Sequence, residues 1–148
     1  AAAHSGHLIG SGGMIVGVGL DVVELERMER IMKQAYGARF AQRVLTERER
    51  DKWTVLPVRR GLEYVAGRFA AKEAVAKALG CGIGAAVGFQ DIEIVANGDG
   101  KPECRLSAAG WRRLERRGDL HRIHVAITHE RKLAAASAIV ELLQQPSL

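Results

Sequence analysis

The sequence predicts an α+β fold in which a small antiparallel sheet packs against a long central helix and several shorter helices. Asn97-Gly98-Asp99-Gly100, between two short runs of β-forming residues, is a strong β-hairpin signal. Two more predicted strands, 122–128 and 133–142, follow one another across a short turn. Sequential hairpins favour antiparallel pairing over a doubly wound parallel sheet. The Ala-rich run 60–79 has the length and composition of one long helix.

The composition is that of one folded domain. The 148 residues are 47% hydrophobic and 26% charged, which supports a sizeable core and argues against disorder. No stretch approaches the ~18 consecutive apolar residues of a membrane helix. Residues 1–13 are mostly Ala, Gly, Ser and His, and they have the character of an expression-tag remnant. We therefore expect a single domain over 14–148, with Met14 as the natural start and no membrane span.

The net charge indicates which classes of partner are possible, and the cysteine content indicates the cellular setting. The net charge of +5 favours an anionic partner, which could be nucleic acid, an acidic protein, a phosphorylated small molecule or a membrane surface. A solvated basic surface without a partner explains the same charge. Aromatic residues are only 5%, too few for the stacking platforms of single-stranded nucleic-acid binders. Cys81 and Cys104 form no disulfide framework or zinc motif, so we expect a reducing, cytoplasmic setting and no nucleophilic role for either thiol.

The chain begins with a predicted strand and helix. Residues 14–18 are apolar and β-branched, which predicts a short buried strand, and residues 19–21 predict the tight turn that ends it. Apolar residues then recur at helical spacing from 24 to 36, with Gly37 as the expected end of the helix.

Two short helical segments are predicted next. The first covers 38–45. Thr46 with Glu49 three residues later is a capping box, which predicts the start of the second segment, running towards Trp53. Pro57 is expected to end this region.

The second half alternates between helices and hairpins. The long helix is expected to stop at Gly80, and strands 91–96 and 102–106 flank the predicted hairpin turn. Ser107 is the predicted N-cap of a helix that reaches Arg117 and ends at Gly118. Strand 122–128 alternates apolar and polar residues, as a half-buried strand does.

Three charged residues fall on or beside the apolar arc of the long helix. Arg68 and Lys72 lie within that arc at ~100° per residue, and Glu73 lies at its edge. Buried charges are costly unless they are paired or bind a ligand. One interpretation is a Glu73–Lys77 ion pair, with Arg68 and Lys72 extending to water. An anion docked against the arc would better explain two cations there.

Asp21 is a second candidate for chemistry. A carboxylate at the end of a strand, beside flexible glycines, is a common way to present a metal ligand, although Asp21 could equally be the N-cap of the following helix. Two carboxylates and three cations, Asp21 and Glu73 with Arg68, Lys72 and Lys77, suit magnesium bound to phosphates. Spacing alone does not bring Asp21 and Glu73 together.

These segments together resemble the bacterial holo-acyl-carrier-protein synthases, a group of the phosphopantetheinyl transferases. The first motif is GVGLDVVE at 17–24, followed by Arg27, and the second is RFAAKEAVAKALG at 68–80. Gly100-Lys101-Pro102 and Ile127-Thr128-His129 follow in the expected order. The resemblance runs from Met14 to about Glu141. Thr128 stands where serine is common in the family, and it keeps the hydroxyl.

The resemblance implies a reaction and a cofactor. The phosphopantetheine arm of coenzyme A (CoA) would pass to a serine of an acyl carrier protein, releasing adenosine 3′,5′-bisphosphate, in fatty acid biosynthesis. It implies that Asp21 and Glu73 bind Mg²⁺ and that Lys77 joins them as a catalytic residue. The base that takes the serine proton stays open between Glu73 and a water held by Asp21 and the ion. The residues implied for CoA binding are Arg68, Lys72, Lys77, Lys101, Pro102 and His129.

The resemblance also implies partners. The helix after the first motif would face the acidic carrier protein; Arg27 matches the family there, and Arg30 is a neighbour of suitable charge. A homotrimer with active sites at subunit boundaries is expected, and neither nucleic acid nor membrane is expected as a partner.

A rival hypothesis is a non-catalytic basic module that binds an acidic protein or RNA. It draws on the pI of about 9.6 and on the arginines of one helix, although these also suit a solvated face. They are Arg112, Arg113, Arg116 and Arg117. Such a module would bind in a salt-dependent way that EDTA does not affect. His129 likewise has a simpler interpretation as a turn residue between two strands.

Overall fold

The computed structural model describes residues 12–144. Its strands are β1 (Met14–Glu24), β2 (Ile92–Ala96), β3 (Pro102–Leu106), β4 (His121–His129) and β5 (Leu133–Leu142). Its α-helices are α1 (Leu25–Met32), α2 (Gly37–Val44), α3 (Glu47–Trp53), α4 (Val58–Ala78) and α5 (Ala108–Arg113). Short 3-10 turns cover Phe89–Asp91 and Gly118–Leu120. Residues 1–11 of the predicted tag remnant lie outside the described residues.

Two antiparallel sheets give the predicted α+β class, which is confirmed. One sheet has the strand order β1-β5-β4, and β2 pairs with β3 in a separate hairpin. In the three-stranded sheet Asp21 lies opposite Ala136, which in turn lies opposite Ile127. Alternate residues of β1, β5 and β4 therefore share one face of the sheet.

Helix α4 packs across that face and forms the centre of the core. Small residues let it approach closely: Ala134, Ala136 and Ala138 on β5 are at most 2% exposed. A Cβ at Gly19 would lie 1.9 Å from the carbonyl oxygen of Ala74, and one at Gly67 would lie 3.0 Å from the Ile127 side chain. The C-terminal half of α4 thus lies on β1, and its N-terminal half lies near β4.

Several local predictions are confirmed. The Thr46–Glu49 capping box opens α3, with both reciprocal hydrogen bonds present. Gly100 has φ +80° in the hairpin turn between β2 and β3. The Ser107 hydroxyl accepts a hydrogen bond from the Gly110 amide at the start of α5. Strand β5 has the predicted bounds.

The turn predicted at residues 19–21 is wrong, because β1 continues through them to Glu24. Gly19 provides room for α4 rather than a bend. The expectation that this strand is buried is also wrong for its outer face, where Val18 and Leu20 are 67% and 62% exposed. Asp21 lies within the strand and does not cap α1, whose N-cap position is Glu24.

Some helix ends also differ from prediction. Helix α1 ends at Met32, and Gly37 begins α2 rather than stopping the preceding helix. Helix α5 ends at Arg113 instead of Arg117, and Glu115 adopts φ +56° just beyond it. That left-handed backbone ends the helix before Gly118 is reached.

No helix within residues 12–144 is both long and apolar enough to cross a bilayer.

Candidate functional site

The first candidate site lies where β1 crosses the C-terminal half of α4. The ammonium of Lys77 donates a 3.0 Å hydrogen bond to Asp21 Oδ1 and a 3.1 Å bond to the carbonyl oxygen of Leu20. Asp21 is 18% exposed and Lys77 is 51% exposed, so the pair opens to solvent on one side. The side chains of these two motif residues, far apart in sequence, therefore meet.

Glu73, one turn before Lys77 on α4, belongs to the same cluster. Burial raises the pKa of the Glu73 carboxyl, the neighbouring Asp21 carboxylate raises it further, and the Lys77 ammonium opposes both. Glu73 therefore interacts electrostatically with Asp21, the second predicted metal ligand. The predicted Glu73–Lys77 ion pair is not formed; among the described residues the Lys77 ammonium pairs with Asp21 instead.

The donor set of this cluster suits a hard divalent cation. In the part of the chain that the structure describes, no group of three or more His, Cys, Asp and Glu side chains could hold a metal. A pair of carboxylates matches the one or two protein ligands that Mg²⁺ ordinarily takes, with water and substrate phosphate supplying the remaining oxygens. A partly buried carboxylate with a raised pKa beside another carboxylate is also a site where a cation would be stabilised.

A second candidate site is a cleft of about 560 Å³ between the N-terminal half of α4 and the end of β4. Three of the residues predicted to bind CoA line it: Arg68, Pro102 and His129. The Arg68 guanidinium lies 4.2 Å from the centre of the Tyr64 ring and donates a 3.2 Å hydrogen bond to the Ile94 carbonyl oxygen. Arg68 Nε is buried and has no hydrogen-bond partner among the described residues. The cleft is therefore lined by a cation whose orientation is held by its own neighbours.

His129 ends β4 at the edge of this cleft. Its Nδ1 lies 3.6 Å from Glu63 Oε2, and Glu63 also lies 3.6 Å from Arg59 Nε. Sequence analysis missed Glu63 and Tyr64. Tyr64 precedes Arg68 by four residues, a helical spacing that could have revealed the stacked pair, whereas nothing in the sequence connects Glu63 to His129.

Lys101 lies beside the cleft rather than within it. It lines a neighbouring groove of about 670 Å³ between β3 and β4, and Pro102 borders both cavities. The hairpin turn thus places Lys101 and Pro102 at the junction of the two cavities.

Lys72, which was predicted to bind CoA, is buried in the structure. Its side chain is 0% exposed, and its ammonium donates to Val44 O at 2.6 Å, Glu49 Oε1 at 2.6 Å and Phe89 O at 3.0 Å. An ammonium has three donors, and all three are used. Burial lowers the pKa of Lys72, and the Glu49 carboxylate opposes that effect. Lys72 neither extends to water nor has a donor left for a phosphate.

The cluster and the cleft lie at opposite edges of the three-stranded sheet. Asp21 belongs to β1 and His129 to β4, with β5 between them. Both side chains are on the face covered by α4, which packs between them. Within one chain the carboxylates and the cleft cations therefore do not share a single pocket.

The predicted carrier-binding arginines lie on α1. Both Arg27 and Arg30 are exposed. Arg30 lies 3.5 Å from Glu26 of the preceding turn, whereas Arg27 has no ion-pair partner among the described residues. Arg27 is thus the less neutralised of the two.

The cysteines take no part in either candidate site. Burial raises the pKa of the Cys104 thiol to about 12, and burial also raises that of Cys81. Both thiols are therefore protonated at neutral pH, a state that is weakly nucleophilic.

The family model and the curated relatives that match this chain all describe one enzyme family. A family model described as the 4′-phosphopantetheinyl transferase superfamily matches residues 17–137. A holo-[acyl-carrier-protein] synthase of Geobacillus kaustophilus is 45% identical over 130 residues, covering 88% of this chain and 92% of the relative. The enzyme of the same description from Bacillus subtilis is 43% identical over 133 residues, covering 88% and 98% of the two chains.

Solved structures give the same result. A holo-(acyl-carrier-protein) synthase from Bacillus anthracis, determined in complex with CoA (3′,5′-ADP), superposes with a TM-score of 0.74 and 40% identity over 87% of this chain and 98% of that one. The holo-[acyl-carrier-protein] synthase of Neisseria meningitidis superposes with a TM-score of 0.76 and 37% identity, covering 86% and 98% of the two chains.

Proposed function

The chain belongs to the 4′-phosphopantetheinyl transferase superfamily, and from this membership we propose how its own residues carry the reaction. The enzyme transfers the 4′-phosphopantetheine group of CoA to a serine of apo acyl carrier protein. The serine hydroxyl gives its proton to Glu73 or to a water held beside Asp21, and its oxygen forms a bond to the β-phosphorus of CoA. The bond from that phosphorus to the bridging diphosphate oxygen breaks, and adenosine 3′,5′-bisphosphate leaves. Positioning and charge neutralisation dominate the catalysis of such transfers.

The observation that carries this proposal is the 3.0 Å contact between Lys77 and Asp21, with Glu73 one turn away on α4 and close enough for the Asp21 carboxylate to raise its pKa. Asp21 and Glu73 would hold Mg²⁺, whose charge, when it is bound, would neutralise the diphosphate oxygens. Burial and the adjacent Asp21 raise the pKa of Glu73, so a cation between these side chains would relieve the repulsion of their charges.

Lys77 would act on the phosphate that departs. Its ammonium is half exposed and lies on Asp21, 3.0 Å from the carboxylate oxygen. From that position it can donate to a phosphate oxygen next to the carboxylates, where negative charge develops during transfer. We therefore assign Lys77 a catalytic role in stabilising that charge.

The cleft would bind the anionic part of CoA. Arg68 lines the cleft with a guanidinium held by Tyr64 and the Ile94 carbonyl oxygen, and a phosphate bound in the cleft would neutralise its charge. His129 and Pro102 line the same cleft, and Lys101 lies at its rim, beside Pro102. We assign CoA binding to these four residues and Lys77, and we leave out Lys72, which has no free donor.

We further propose that the enzyme works as a homotrimer. The outer face of β1 exposes a row of apolar side chains that a neighbouring subunit would cover. They are Ile15, Val18, Leu20 and Val22, with Val16 at the register irregularity beside them. Because the carboxylate cluster is at the β1 edge and the cleft is at the β4 edge, the cluster of one subunit could meet the cleft of the next. An active site completed at each boundary would follow.

Helix α1 would receive the carrier protein. Arg27 and Arg30 are exposed on the helix that directly follows β1, a few residues after Asp21. An acidic protein bound there would bring its serine towards the carboxylate cluster. We also propose a cytoplasmic location, because both cysteines are free thiols, as in a reducing compartment.

Intact-mass measurement tests the proposal directly. The protein is incubated with CoA, Mg²⁺ and an apo carrier protein, and the carrier should gain one phosphopantetheine while adenosine 3′,5′-bisphosphate appears. Excess EDTA should abolish the gain. Binding of the carrier without any mass change, at all Mg²⁺ concentrations, would contradict the proposal.

Two isosteric variants test the metal assignment. Asp21→Asn and Glu73→Gln should each lower the transfer rate by about 100-fold or more while the protein still folds. Asp119→Asn is a matched control, because Asp119 is a 63% exposed carboxylate paired with a surface arginine. Wild-type transfer by either site variant would refute the assignment.

A further inference from the structure

We propose that Lys72 is a positioning residue that, with Glu49, fixes the orientation of α4 so that Glu73 and Lys77 face β1. The inference rests on the proposed function and assigns Lys72 a role other than CoA binding. Among residues 12–144 the fully buried charged side chains are these two, Glu49 and Lys72, and they contact each other at 2.6 Å.

The Lys72 ammonium ties α4 to three other segments. It bonds the last residue of α2 through Val44 O, helix α3 through Glu49, and the 3-10 turn before β2 through Phe89 O. Glu49 extends the connection, since its carboxylate also accepts hydrogen bonds of 2.8 Å from the amides of Thr46 and Ile94. Every strong donor and acceptor at this junction is therefore satisfied within the protein.

This junction controls the direction of the neighbouring site residue. Consecutive residues of a helix point about 100° apart, so holding Lys72 on one side of α4 determines where Glu73 points. A carboxylate roughly 6 Å from the helix axis moves about 2 Å when the helix turns by about 20°. A shift of that size would separate Glu73 from Asp21, and misplacement of about 1 Å can cost about 100-fold in rate.

Binding of CoA by Lys72 would be incompatible with this junction. To reach a phosphate the ammonium would have to leave Glu49 as a buried, unpaired carboxylate and leave the carbonyl oxygens of Val44 and Phe89 without this donor. Breaking a buried pair by removing one partner is strongly unfavourable. The geometry thus favours a permanent structural contact over an exchangeable ligand contact.

The test separates CoA binding from turnover. Lys72→Met keeps most of the side-chain volume but removes the donors, and Arg68→Met makes the equivalent change at the cleft. Calorimetry with CoA in EDTA measures binding, and steady-state kinetics at saturating CoA, carrier protein and Mg²⁺ measures kcat. We expect Lys72→Met to bind CoA within about threefold of the parent while kcat falls about 100-fold. Arg68→Met should weaken CoA binding by more than tenfold.

Two outcomes would overturn the inference. A loss of CoA affinity above tenfold in Lys72→Met would make Lys72 a ligand, and an unchanged kcat with a lower urea midpoint would leave it a purely structural residue. If Lys72→Met does not fold, the same measurements are made on the double variant Lys72→Met/Glu49→Gln, which leaves no buried unpaired charge. The double variant should recover part of the urea midpoint but keep the low kcat. A parent protein that transfers nothing would instead contradict the proposed function.

Discussion

Gly19 lies so close to Ala74 that a Cβ added to it would be 1.9 Å from the Ala74 carbonyl oxygen. Gly17 has the same relationship with Ala78, at 1.8 Å. These two glycines let strand β1 rest directly on helix α4. The contact places Asp21 within hydrogen-bonding distance of Lys77 and near Glu73, so the glycines of the first motif hold together the cluster that we propose as the catalytic site.

Gly19→Ala should therefore damage both stability and transfer. The methyl group collides with backbone rather than with a movable side chain, so the strand must shift away from the helix, which should cost about 1–3 kcal/mol. Chemical denaturation measures the loss, and the transfer assay should show a fall in rate as Asp21 moves. Gly98→Ala is the control, since a Cβ there would meet nothing within 4 Å. Equal stability of the two variants would argue against the close contact.

Arg27→Glu should weaken carrier-protein binding and leave CoA affinity almost unchanged. The substitution reverses the charge of an exposed arginine that has no ion-pair partner among the described residues, so an acidic partner would be repelled. Surface plasmon resonance with the carrier protein and calorimetry with CoA report the two affinities. Arg112→Glu makes the same change of net charge at an exposed residue of helix α5 and should affect carrier binding much less. Equal losses for carrier and CoA would place Arg27 in the nucleotide site instead.

Leu20→Asp should disrupt the proposed trimer. Leu20 is 62% exposed on the outer face of β1, and a carboxylate buried there by a neighbouring subunit would have no partner. Light scattering after size exclusion should show a trimer for the parent and smaller species for the variant, with loss of transfer. Val58→Asp introduces the same charge at a 92% exposed apolar residue at the start of α4, outside the residues that line the cleft, and should stay trimeric. A monomeric, active parent would refute the trimer.

Asp91→Asn should destabilise the fold at neutral pH and not in acid. Burial raises the pKa of Asp91, but hydrogen bonds from Ser107, Gly88 and Arg113 lower it more, so the net pKa lies below the ordinary 3.8. The stabilisation is therefore complete above that ordinary value and is lost as pH falls through the lower folded-state pKa. We expect a difference of about 1 kcal/mol at pH 7 in urea unfolding. A difference that persists undiminished at the lowest pH at which the protein folds would contradict the linkage.

Local signals in the sequence predicted much of the fold. The Thr46–Glu49 capping box, the Asn97–Gly100 turn and the Ser107 N-cap each depend on residues that lie within four positions of one another. Such features form from the same short-range hydrogen bonds in most contexts, so their prediction needs no knowledge of the rest of the chain. The interpretation of residues 19–21 as a turn failed because glycine suits both a turn and a close packing contact.

The sequence by itself determined the family motifs and the α+β class, and it predicted Asp21 and Glu73 as the metal-binding carboxylates. Only the tertiary structure decided that Lys77 pairs with Asp21 and that Lys72 forms a buried ion pair with Glu49. It also decided that the carboxylates and the cleft lie at opposite edges of the sheet. The physical reason is distance along the chain. Lys72 and Glu49 are 23 residues apart, and Lys77 and Asp21 are 56 apart. Which charge meets which is then set by how helix and strand pack, a relationship that no local pattern encodes.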